Sequence, residues 1–225
     1  MRKLVLASAA ALLLVTPGSA LAATPLPESN AEGLVILHDY YPGYWWDHTD
    51  LTIAVQAHPG VAPEMDAAVH DAIATWDAVL RDQFDGLITL TDITDQVTAK
   101  HNADIVVHYN PTAGGTVFGG YALCGDHKCQ NVIVRSELPP SLGIETYTPS
   151  HLRNVTLHEL GHALGLGHAT NLLESTDLMG YGWTRANLIQ PVMSRCDMDA
   201  LRYVWAWAFE GVDPYEPPAS GPFAC

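Results

Sequence analysis

Lysine and arginine are scarce in this chain, 10 against 25 aspartates and glutamates, for a net charge of −15 over 225 residues. Such a protein is a poor partner for nucleic acid or an anionic membrane surface, because both are bound through cations that displace counterions. The ordinary role of so much acid is to keep a surface solvated. Long apolar runs are missing as well: the longest, in MRKLVLASAAALLLVTPGSALA, is about a dozen residues, against the roughly 20 that cross a bilayer. There is no internal repeat and no low-complexity linker, so one domain with its own core is expected. Cysteine is limited to four residues, none before position 124.

The first stretch has two cations, an apolar centre, a Pro-Gly break and small residues at Ala20 and Ala22. That order reads as a secretory signal peptide over residues 1–22, followed by a lead-in segment (23–42) and a domain (43–225). The expectation is a secreted, extracellular monomer without a membrane anchor. In an oxidising compartment Cys124, Cys129, Cys196 and Cys225 should pair, and three connectivities exist. The favoured one joins Cys124 to Cys129 in the tight loop CGDHKC, and Cys196 to Cys225, stapling the proline-rich tail to the body. A metal held by Cys124, His127 and Cys129 is the rival reading of that loop.

Local patterns give a run of elements. LTIAV (51–55) reads as a strand, and Pro63 to Leu80 as an amphipathic helix, with Met65, Val69, Ile73, Trp76 and Leu80 recurring at threes and fours. ADIVVHY (103–109), GGYALC (119–124) and NVIVRS (131–136) read as strands. The cluster Tyr40, Tyr41, Tyr44, Trp45 and Trp46 is expected to pack.

Against this background HELGHALGLGH (158–168) crowds three histidines, a glutamate and three glycines into eleven residues. HLRNVTLHELGHALGL has helical periodicity, and four residues make just over one turn, so His158 and His162 share a face. Two imidazoles one turn apart can bind one Zn²⁺, and Glu159 can reach a water held beside it. Gly165 lets the chain leave the helix in a conformation costly for other residues and returns His168 as a third ligand. Three neutral ligands leave a coordination position open, the arrangement of a catalytic zinc rather than a structural one.

With HExxHxxGxxH and the downstream DLMGYG the sequence resembles the metzincin metallopeptidases, and among them most the matrixins, over about residues 43 to 210. The resemblance implies an α+β zincin fold: a twisted, mostly parallel sheet with long helices, and a small lobe after His168. It implies that His158, His162 and His168 bind one catalytic zinc, that Glu159 is the general base, and that Met179 forms the turn beneath the metal. Met193 is the rival turn methionine, but it precedes the final helix, where Ser194 and Asp197 suit an N-cap and first turn. Tyr181 follows Met179 at the spacing seen in astacins and serralysins, whose tyrosine can stabilise an oxyanion; a packing tyrosine is the alternative. The long cysteine-bearing propeptide of matrixins has no counterpart here. Nor is their second, structural zinc site recognisable around residues 101 to 127; the many aspartates leave Ca²⁺ open as a further ion, though no segment resembles a defined calcium loop.

The function expected is zinc-dependent endopeptidase action on protein or peptide substrates. Two alternatives stay open: an inactive zinc-containing binding domain, and a zinc hydrolase of a non-peptide amide or ester. GGYALC is expected to be an edge strand able to pair with an extended peptide.

Overall fold

The computed structural model describes residues 23–36, 46–96, 98–110, 119–125, 128–135, 147–182, 190–211 and 223–225. It is a mixed α/β structure with two sheets. The larger has the order β3 (Thr89–Asp92), β2 (Asp50–Ala57), β4 (Ile105–Asn110), β6 (Lys128–Arg135), β5 (Gly120–Gly125). The first four strands run parallel, and β5 lies antiparallel to β6 with a bulge between Leu123 and Gly125. GGYALC is therefore an edge strand, paired on one side alone among the described residues.

Helix α1 (Pro63–Gln83) opens on Pro63, whose missing N–H is harmless in a first turn, with Glu64 and Asp66 facing the positive helix end. Its buried stripe, Ala68, Val69, Ala72, Ile73, Trp76 and Leu80, follows the helical period and covers the sheet. A single turn, α2 (Ala99–Asn102), precedes β4. The central helix α3 (Pro149–Ala163) also starts on a proline, and the backbone N–H of Thr148 donates to His151 Nδ1 at 2.8 Å. α3 packs on α1, where Trp76 Nε1 donates to the Leu157 carbonyl at 2.9 Å, and on β5 and β6.

The smaller sheet has the order β7 (Leu166–Ala169), β1 (Gly33–Ile36), β8 (Phe223–Ala224), all antiparallel. β1 comes from the lead-in segment, in which the sequence pattern marked no strand. Helices α4 (Arg195–Val204) and α5 (Ala206–Glu210) follow, α4 resting against β1 and β7. Ser194 caps α4 as its sequence suggested: Ser194 N–H donates to Asp197 Oδ2 at 2.7 Å while the serine hydroxyl accepts from Asp197 N–H. Of the aromatic cluster only Trp46 lies within the described residues, where it is buried and donates from Nε1 to the Ala163 carbonyl at 2.9 Å.

Cys196 and Cys225 form a disulfide. Cys124 is disulfide-bonded too, which removes its thiolate from any metal reading of CGDHKC. His127 and the Cys129 side chain lie outside the described residues. No described helix is long and apolar enough to cross a membrane.

Candidate metal centre

The last turns of α3 bring His158 and His162 onto one face, and the chain then reverses. Gly165 has φ +112°, in the region that excludes most side chains, and a Cβ on it would stand 2.7 Å from Val204 of α4. That reversal starts β7, which carries His168. The three imidazoles offer nitrogens all within 4.8 Å of one another.

Each helical histidine has its orientation fixed by a backbone carbonyl. His158 Nδ1 donates to Leu178 O and His162 Nδ1 to Leu166 O, both at 2.7 Å. A ring nitrogen facing a carbonyl must carry the proton, which leaves Nε2 as the lone-pair donor in each neutral ring. His162 Nε2 and His168 Nε2 stand 3.2 Å apart. Two nitrogens bound to one tetrahedral zinc are about 3.4 Å apart, given Zn–N bonds of about 2.0 to 2.1 Å. The donor set therefore suits a zinc ion in chemistry, and this pair suits it in spacing.

Electrostatics favours the same protonation states. Burial, reinforced by the other two imidazoles, holds His158 well below its ordinary 6.5, and burial with the influence of His168 pulls His162 down to about 4. His168 is lowered by burial. All three are neutral near pH 7, as ligands must be.

Glu159, next to His158 on α3, lies against β5. Burial pushes it up to about 8 against the opposing effect of a hydrogen bond from the Ala122 backbone N–H. Its Oε2 is buried with no hydrogen-bond partner among the described residues. Gly120 makes this approach possible, since a Cβ there would lie 2.7 Å from Glu159 Cγ and 2.9 Å from the Ile133 carbonyl.

Below the helix, Met179 is fully buried, and a Cβ on Gly161 would meet its Sδ at 2.5 Å. Met179 O accepts from Ala169 N–H at 2.9 Å, joining the turn to the strand of the third histidine. Met193 is half-buried in the residues before α4. The Tyr181 hydroxyl lies 3.1 Å from His168 Nε2, and burial together with the Glu159 carboxylate pushes it up to about 12. The structure thus brings His158, His162, His168, Tyr181 and Met179 together, with Glu159 beside them. The backbone groups that hold them, Leu166 O, Leu178 O and Ala122 N–H, carry no residue-type signal and were invisible in the sequence.

No known protein family matches the sequence, and no curated protein does either. Solved structures give loose likenesses. A chaperone-substrate complex aligns over 76% of this chain at 15% identity and a TM-score of 0.43, this chain spanning 36% of its length. High choriolytic enzyme 1, a hatching enzyme zinc-protease from Oryzias latipes (medaka fish), aligns over 71% of this chain and 92% of its own, at 14% identity and a TM-score of 0.40. The GM1-bound form of the ECX AB5 holotoxin aligns over 80% and 90%, again at 14% identity and 0.40. What this chain does has to be read from its own residues.

Proposed function

We propose that this chain is a secreted zinc-dependent endopeptidase of metzincin type. The observation that carries the reading is the convergence of three neutral imidazoles, with Glu159 adjacent to the first of them on the same helix. His158, His162 and His168 would hold the zinc. When bound, a zinc ion polarises a carbonyl and acidifies water.

The remaining chemistry belongs to the protein. Ionised Glu159, the form that the charge of a bound zinc would favour, takes a proton from water and delivers it to the leaving amine, with Ala122 N–H steadying the carboxylate. Tyr181, still protonated near neutral pH, offers its hydroxyl to negative charge developing on the carbonyl oxygen. The side of β5 that is unpaired among the described residues supplies main-chain groups with which an extended substrate can pair. Peptide as the substrate class is supported by the sequence resemblance and by that edge, and export by the N-terminal signal pattern and the disulfides.

The test is Glu159→Gln, which keeps size and helix propensity but removes the base. Bound zinc, measured by metal analysis, should be retained while cleavage of an unfolded protein falls by about 10² or more. A chelator should abolish cleavage by the unaltered protein. Full activity in the glutamine variant would sink the mechanism. One bound zinc with no turnover on any peptide library would instead favour a binding domain.

A further inference from the structure

The third histidine is held differently from the other two. His158 and His162 sit on α3, which Trp76 and the sheet anchor. His168 sits on β7, a four-residue strand whose sheet neighbour is β1, paired at Leu34 with Ala169 and at Ile36 with Leu166. β1 is flanked on its far side by β8, two residues long, paired at Gly33 with Ala224 and at Leu34 with Phe223. So short a strand has too few backbone bonds to stay in place unaided. It is held by Phe223, which packs on Tyr203 of α4, and by Cys225, bonded to Cys196, which is buried in α4. α4 in turn touches β1 and β7, sets Val204 against Gly165, and is followed by Trp205, whose Nε1 donates to the Leu164 carbonyl at 3.0 Å.

We propose that the Cys196–Cys225 disulfide is a redox latch on the metal centre: closed, it seats β8 on β1 and so steadies β7 and His168; open, it loosens that support and weakens the hold of the third histidine on the metal. This rests on the reading of the three histidines as zinc ligands. Opening is thiol–disulfide exchange: two thiols of an external reductant give up two electrons and become a disulfide, while the bridge gains those electrons and two protons as two cysteine thiols. Closing is the reverse, with a disulfide-bearing oxidant as acceptor. A chain made in a reducing compartment and then exported would gain its full zinc affinity on oxidation. Other bonds hold β1 near its place, Asn30 N–H and the Ser29 hydroxyl to Asp177 and Glu32 N–H to Asn171, so the latch tunes the site without unfolding it.

The experiment compares zinc affinity, by competition with a chromogenic chelator, in the full-length oxidised protein, the same protein after dithiol reduction, and Cys225→Ser. Hydrogen exchange of the β1 and β7 amides is followed in the metal-free forms. Reduction and Cys225→Ser should each weaken zinc by about 10- to 100-fold, as disturbing the groups behind a ligand commonly does. Both should speed exchange in β1 and β7 while β2 and β4 stay protected. A second variant, Gly33→Ala, keeps both cysteines but places a Cβ 2.7 Å from the Phe223 carbonyl, so β8 must shift and affinity should fall in the same direction. Equal zinc affinity and equal exchange in all forms overturns the latch. A loss on reduction that Cys225→Ser does not reproduce assigns the effect to the Cys124 bridge and overturns it equally. Failure of the oxidised protein to bind zinc at all would instead refute the ligand reading, and the exchange measurement would still decide whether β7 depends on the bridge.

Discussion

At Gly165 the site depends on an atom that is not there. Its φ of +112° excludes side chains on backbone grounds, and the space a Cβ would need belongs to Val204. Gly165→Ala should therefore destabilise the fold by about 2 kcal/mol, as strain and overpacking at one residue typically do, and lower the urea midpoint accordingly. Because this residue aims β7, zinc affinity should fall as well; an unchanged affinity would show that His168 does not depend on the turn. The convergence of the three histidines around this glycine was legible, since their spacing alone places imidazoles on a helix face and at its exit. Gly120 and Gly161 were not. Each is small because something comes close to it, Glu159 in one case and Met179 in the other, and a sequence does not say what will come close.

The elements divide in the same way. α1 and α3 are long enough to declare a period, and α4 declares its start through Ser194 and Asp197. β1, β3, β7 and β8 have four residues or fewer, and their pairing partners lie far along the chain, so no local pattern marked them. α4 also carries a pH-sensitive stress. Asp197 is buried beside Asp177, and burial raises it to about 7 despite its bonds to Ser194; its Oδ1 has no hydrogen-bond partner among the described residues. The unfolded chain ionises this group near 4, whereas the folded chain resists until about 7. The stability it contributes is thus fully present below pH 4, is lost as pH rises from about 4 to 7, and stays lost above. Asp197→Asn should flatten that slope, by an amount on the order of a few kcal/mol across the interval. Urea unfolding of both proteins at pH 4, 5.5 and 7 reads it directly, and parallel slopes would show that Asp197 ionises freely in the fold.

For the molecule as a whole, the three histidines join two structural layers: α3 belongs to the five-stranded sheet, β7 to the three-stranded one. A ligand that binds only the folded state stabilises it by mass action, about 4 kcal/mol at a thousandfold excess over its dissociation constant. Adding a chelator should therefore lower the melting temperature and accelerate exchange first in β7 and β1, with β2, β4 and β6 responding last. Uniform acceleration would mean that the metal stabilises the molecule globally and does not join two separable layers. The pairing of Leu34 with Ala169 also sets an order in time. His158 and His162 are aligned as soon as one helix forms, a local event, whereas the β1 support behind His168 closes a loop of well over a hundred residues, and closing such loops is the slow part of folding. A newly made chain would then hold the three imidazoles on a turn still without its β1 partner until that loop has closed.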